Sequence, residues 1–129
     1  MRRIFLWMVL ITPISSLAAM YDNEYQACNN NSTVGIVDCV AGLTKQWDKR
    51  LNAAYKKLMG YESPQQVSLK TAQRLWIKYR DANCNYYAAG EGTISRIEAA
   101  ECMRSMTKDR TCELQAQSEQ ETGPGPECQ

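Results

Sequence analysis

The sequence predicts an all-α domain, three helices packed as an antiparallel bundle and stabilised by disulfides. Three observations carry that expectation. Apolar residues recur at three- and four-residue steps through long stretches of the chain. Capping and turn signals punctuate those stretches where helices should begin and end. Six cysteines sit in a chain whose opening reads as an export signal.

That opening comes first. Arg2 and Arg3 form a positive start, Ile4 to Ile14 an apolar stretch broken only by Pro13, and Ser16-Leu17-Ala18-Ala19 a small-residue cleavage region. Residues 1–19 are therefore expected to be a signal peptide cut after Ala18 or Ala19. The apolar stretch is short of the roughly 20 residues that span a bilayer, and Cys28, the first cysteine, lies too far on for lipid attachment at the cleavage point. The expected product is soluble, in the periplasm or secreted from a bacterium.

The first helix is expected from about Val34 to Met59. Val37, Val40, Leu43, Trp47, Leu51, Ala54, Tyr55 and Leu58 form its apolar stripe, and Lys45, Lys49, Arg50, Lys56 and Lys57 fall mostly between them. The Asn29-Asn30-Asn31-Ser32-Thr33 cluster before it reads as a loop, and Gly60 as its end. Asn30 and Asn31 both open glycosylation sequons, which have little meaning in a bacterial export setting.

The second helix begins at Ser63-Pro64-Gln65-Gln66, with Ser63 as N-cap, Pro64 in the first helical position and Gln66 closing a capping box. Leu69, Ala72, Trp76, Tyr79 and Tyr86 make its apolar stripe. Lys70, Arg74 and Lys78 form a basic ridge, which reads as a solvated face ahead of an anion site. A loop over Asn85 to Thr93 follows, marked by Gly90-Glu91-Gly92. A third helix should start near Ser95, where Ser95 and Glu98 offer another capping box, and run through Ile97, Met103, Met106 and Leu114. Residues 20–117 thus form one helical domain, and 118–129 read as a mobile acidic tail, against which only Cys128 argues.

Composition excludes several functions. The chain has no histidine, so Ser-His-Asp or Cys-His catalysis, imidazole metal sites and histidine pH switches are absent. Removing Arg2 and Arg3 leaves 13 basic against 14 acidic residues, a net charge of −1, without the basic excess that nucleic acid or an anionic membrane asks for. No cysteine pair has the C-x2-C spacing that zinc favours, so no metal and no cofactor is expected. Three disulfides fit the even count, and sequence-local pairs are favoured: Cys28 with Cys39, Cys84 with Cys102, Cys112 with Cys128. Antiparallel packing offers a rival in which Cys39 lies beside Cys84.

The run Ala72-Gln73-Arg74-Leu75-Trp76-Ile77-Lys78-Tyr79-Arg80-Asp81-Ala82-Asn83-Cys84 is the densest in the chain. With the upstream Cys39 and Leu51-Asn52-Ala53-Ala54-Tyr55, and the downstream Cys102, Thr107 and Arg110, it resembles the exported LprI-type family of bacterial lysozyme inhibitors. The resemblance spans about Cys28 to Leu114. It implies a helical domain and lysozyme as partner, and it marks Asn52, Tyr55, Gln73, Trp76, Arg80, Asp81 and Arg110 as signature positions. Cys112, Cys128 and the tail depart from the four-cysteine pattern of the family.

Physical chemistry gives most signature residues structural roles. Trp76 and Tyr79 are expected in the core, Asn52 and Gln73 as interhelical hydrogen-bond formers, and Arg80 paired with a carboxylate of a neighbouring helix, such as Asp48, or with loop carbonyls, since its adjacency to Asp81 in sequence does not make those two a pair. An inhibitor would need a preorganised surface to block a cleft holding two catalytic carboxylates. Asn85, Tyr86, Tyr87, Gly90, Glu91 and Gly92, tethered by Cys84, are the candidate partner-binding residues; the competing reading is that the tyrosines cap the core and the glycines make the turn. Two other functions stay open: an envelope-associated binding module for another partner, and, least supported, an enzyme using Asp48 and Glu101 as general acid and base.

Overall fold

The computed structural model describes residues 20–29, 31–119 and 125–128. Residues 1–19, where the signal peptide is expected, Asn30, residues 120–124 and Gln129 lie outside the described residues. The architecture is all-helical: α1 (Asn23–Gln26), α2 (Thr33–Met59), α3 (Gln65–Ala88), α4 (Ile94–Ser118) and a 3-10 turn at Pro126–Cys128, with no strand among the described residues.

The helices form because their caps and stripes agree with their lengths. Ser32 Oγ accepts from Gly35 N–H to open α2, and Gly60 caps its end after Lys56 and Lys57, whose charge suits a C-terminal turn. Both anticipated capping boxes fail. Ser63 Oγ does accept from Gln65 N–H, but Gln66 turns its amide back to the carbonyls of Met59 and Tyr61, sealing the α2–α3 turn instead. Ser95 lies one residue inside α4, buried, and donates to Gly92 O at 2.7 Å. It closes the turn from within rather than capping the helix.

Helix α4 is the centre. It runs parallel to α2, pairing Ile36 and Val40 with Ile97 in one core cluster and Leu51 and Ala54 with Leu114 in another. α3 descends antiparallel along α4, as the contacts of Cys84 with Cys102, Arg80 with Thr107 and Gln73 with Arg110 require. α2 and α3 scarcely meet. The expected bundle of three mutually packed helices is therefore a row with α4 in the middle, preceded by a short α1 that sequence reading did not anticipate.

One-sided packing corrects the α3 stripe. Only Gln73 and Cys84 of α3 are buried, with Leu69 and Trp76 half-buried against the Leu51 and Leu114 cluster. Ala72, Tyr79 and Tyr86 are exposed, Tyr79 by 62%. They lie three positions, about 60° of helix, from the line of Leu69 and Trp76, and a single neighbour covers one line only.

The bridges join Cys28 to Cys39, Cys84 to Cys102 and Cys112 to Cys128, with Cα separations of 5.7, 5.5 and 5.5 Å. They fasten α1 to α2, α3 to α4 and the tail to α4. Cys39 pairs locally because α4, not α2, lies beside Cys84. The end of the tail meets the domain beyond its bridge: Glu127 pairs with Arg50, whose guanidinium also donates to Gln115 Oε1 at 2.8 Å.

Because α3 touches little besides α4, its bridge should matter most. Cys84→Ser/Cys102→Ser is expected to lose about 2–4 kcal/mol in urea unfolding, and more than Cys112→Ser/Cys128→Ser, whose docked segment is backed by the Arg50 contacts. Equal losses would show that α3 is held by more than this edge.

Candidate functional site

The α3–α4 tip gathers the residues the sequence singled out. Asn85, Tyr86 and Tyr87 are not in a loop: α3 continues to Ala88, and the connection is 89–93 alone. Gly92 has φ +75°, the left-handed conformation a side chain resists, and a Cβ on Gly90 would press on Tyr87 O at 3.2 Å. Both glycines are thus needed for so tight a reversal. Cys84–Cys102 locks the hairpin one turn below.

At the tip Tyr86 is 76% exposed, and its ring meets half-buried Tyr87 edge-on, centroids 5.4 Å apart. Asn85, Gly90, Glu91 and Gly92 are exposed beside them. Tyr21, which sequence reading missed, joins this end. Its φ is +66°, held by donation from its N–H to Glu101 Oε1 at 2.8 Å and by edge-on packing on Tyr25 at 4.8 Å. Burial and the nearby Glu98 carboxylate push the Tyr21 hydroxyl up, with Tyr25, Glu101 and Tyr87 adding to it. Tyr21 therefore stays a neutral hydrogen-bond donor at physiological pH. The result is an exposed aromatic surface braced by the Cys84–Cys102 bridge.

Beneath it lies a charged cluster with no counterpart in the sequence expectations. Arg104 has no exposed surface. Its Nε and Nη2 bind both oxygens of equally buried Glu101 at 2.7 and 2.6 Å, Nη2 reaches Asp22 at 2.9 Å, and Nη1 pairs with Glu24. Lys108 Nζ donates to Asp22 Oδ2 at 2.9 Å, and Trp47 Nε1 to Glu24. Burial alone would push the Asp22 carboxyl up, but the Lys108 hydrogen bond, the Tyr25 N–H and the Arg104 charge hold it below its ordinary value. Burial also disfavours the Arg104 cation, and the Glu101, Asp22 and Glu24 carboxylates outweigh it, raising the guanidinium further above its usual value. This is a clamp, not a reactive centre. Glu101 is sealed from solvent and Asp48 is exposed on α2, so the acid–base pair considered from sequence is not assembled.

The other signature residues distribute as follows. Gln73 accepts from Arg110 Nε at 3.0 Å across the α3–α4 interface. Asn52 does not cross between helices; it is exposed and donates to Asp48 one turn back at 3.3 Å. Arg80 pairs with adjacent Asp81 after all, through Nε and Nη2 at 3.0 and 2.9 Å, and lies 5.0 Å from the Trp76 ring centroid. It runs along the surface toward Thr107, because Asp48 stands on α2, which α3 scarcely meets. Tyr55 is half-buried against the Leu51 cluster.

Shallow depressions lie elsewhere, two of them among the described residues as follows. One, about 370 Å³, lies at the opposite end of the molecule between Tyr61, Gln65, Ser68, Arg110 and Glu113; the other, about 490 Å³, lies on α2 between Lys45, Asp48, Lys49 and Asn52. Among the described residues no three carboxylate or thiol groups are placed to hold a metal, and no helix is long and apolar enough to cross a membrane.

The fold is that of a small, disulfide-stapled helical domain with exposed aromatic residues at one end. The model of the family described as lysozyme inhibitor LprI matches residues 25–114, and the chain belongs to that family. It is also similar to an uncharacterised protein of Rhizobium meliloti (strain 1021), 30% identical over 97 residues, 72% of this chain and 65% of that protein. The chain thus spans about 65% of the length of this relative. No solved structure matches the chain.

Removing Arg104 should unmask the clamp. Arg104→Met, which leaves Glu101 buried without its cation, is expected to cost about 3–5 kcal/mol, and Glu101→Gln/Arg104→Met to recover part of it in a urea double-mutant cycle. Additive losses would mean the pair is not coupled. Acid supplies a second check. A carboxylate with a lowered native value contributes stability that is complete above its unfolded value, 3.8, and lost as pH falls through the native one. Asp22→Asn should accordingly melt below the native chain at neutral pH, with the gap closing as the pH drops below about 4.

Proposed function

We propose that the protein is an exported inhibitor of lysozyme that acts by protein–protein binding through the α3–α4 tip. Membership of the LprI family over residues 25–114 is the observation that carries this reading. The leader-like residues 1–19 and three disulfides fit an exported chain, since such bridges persist in oxidising compartments.

The chemistry of the tip suits the task. A muramidase cleft is lined for a polysaccharide and centred on two carboxylates. A convex insert blocks it best if little conformational freedom is lost on docking. Tyr86 and Tyr87 are stiff, amphipathic side chains, edge-packed on each other and braced one turn away by Cys84–Cys102. Asn85 and Glu91 supply an amide and a carboxylate for the cleft's sugar-binding groups, and Gly90 and Gly92 let backbone approach closely. Tyr21 extends the same surface.

Turbidity clearance of cell-wall suspensions by lysozyme, with and without the oxidised protein, tests the proposal. Inhibition is expected, and Tyr86→Ala or Tyr87→Ala should weaken it by about 30-fold, the scale of an aromatic interface anchor. Tyr61→Ala, at the other end of the molecule, should leave it unchanged. Several lysozymes remaining fully active under a large molar excess of folded protein would end the proposal. Inhibition indifferent to the tip variants would move the site elsewhere.

A further inference from the structure

Helices α2 and α3 both pack on α4 and scarcely meet each other, and at the end away from the tip they leave between them the depression of about 370 Å³, a size that small-ligand sites share. Leu58 of α2, Leu69 of α3 and Leu114 of α4 give it an apolar lining, and Gln65, Arg110, Glu113 and Gln117 a polar one. Arg110 is the fixed part. Its side chain is only 10% exposed, and its Nε and Nη1 donate to Gln73 Oε1 at 3.0 Å and Glu113 Oε2 at 2.7 Å, which sets the plane of the guanidinium. Arg110 Nη2, Glu113 Oε1 and the side-chain amides of Gln65 and Gln117 are left without a partner among the described residues. We propose that this depression binds a neutral saccharide of one or two pyranose rings.

The lining has the chemistry that a sugar asks for. A pyranose ring offers C–H faces to apolar surface and carries its donors and acceptors, hydroxyl or acetamido, on its edge. The three leucines suit the faces. Arg110 Nη2 and Glu113 Oε1 supply a donor and an acceptor from one fixed ion pair, which two neighbouring hydroxyls or one acetamido group complete, and each glutamine amide offers both again. Charge and polarity disfavour other occupants. Arg110 and Glu113 cancel, so an anion meets the Glu113 carboxylate and a cation the Arg110 guanidinium. An acyl chain would cover polar side chains and pair with none of them. Gln65, Glu113 and Gln117 are exposed and must be ordered by the ligand, so the affinity is low, about 1 mM. The tip lies at the opposite end of the molecule, so this site does not depend on the inhibitor reading.

Backbone-amide chemical-shift titration of the chain, bridges intact, with triacetylchitotriose and separately with maltotriose tests this without any lysozyme. Saturating shifts are expected at residues 65–69 and 110–117. Response to the first sugar alone supports an acetamido subsite, and response to both supports recognition through hydroxyls. Gln65→Ala and Gln117→Ala should each weaken binding about tenfold, with circular dichroism and melting unchanged because both side chains are exposed. Lys45→Ala, on α2 outside the depression, should leave binding as it is. No saturation by either sugar up to tens of millimolar overturns the proposal, as do shifts confined to the tip or binding indifferent to both glutamine variants. Saturation of the same residues by inorganic phosphate and by neither sugar also overturns it and assigns the depression to an anion.

Discussion

A guanidinium removed from water costs several kcal/mol unless carboxylates replace its hydration, and Arg104 meets that demand with groups from two separate parts of the chain. Glu101 is one turn away on the same helix, whereas Asp22 and Glu24 belong to the segment before α2. The cation is satisfied only when that segment lies across α2 and α4. Much follows from this placement. Asp22, while bound to Arg104 and Lys108, accepts from Glu24 and Tyr25 N–H and so caps α1. Glu24 anchors the indole of Trp47, and Cys28 comes to rest beside Cys39. Apolar burial from this segment, through Tyr25 and Cys28, is modest and has no direction of its own; the forked contacts provide the direction.

The same cluster explains what was and was not legible in the sequence. α2 could be read nearly to the residue because its core positions are apolar: Ile36, Val40, Trp47, Leu51 and Ala54. α4 looked weakly amphipathic, yet it is the most buried helix. Glu101, Arg104, Lys108 and Thr111 follow the three-and-four repeat of a core face with the opposite chemistry. A search for apolar period passes over such a face. The signal that could have found it is charge of both signs at helical core spacing, next to Ser105 and Thr107, whose hydroxyls donate to carbonyls of their own helix. Local cysteine pairing was legible because short loops between helix ends already place those residues close.

At the tip the sequence located the tether and the glycines but ended α3 too soon. Asn85 and the glycine pair read as breakers, although only Gly92 takes a left-handed conformation. Tyr87 packs well enough to carry the helix one more turn, which changes what the surface is. Tyrosines on a mobile loop would lose side-chain and backbone freedom on docking; on the last turn of a bridged helix most of that loss is already incurred in folding. Tyr21 could not be placed here from sequence, since its position depends on Glu101, 80 residues away.

The one-sided packing of α3 ties tip and scaffold together. A helix packed on two neighbours would bury both of its apolar lines, and its C-terminal turn would lie within a bundle. Because α3 packs mainly on α4, its final turn stands at the margin of the row with Tyr86 exposed on the outer side, and the Cys84–Cys102 bridge and the contacts of Leu69, Gln73, Trp76, Arg80 and Asn83 resist its peeling away. Projection and rigidity are opposing demands on a single helix edge. The bridge at the penultimate turn reconciles them, since it fixes the backbone at the point beyond which the side chains must be exposed to meet a partner.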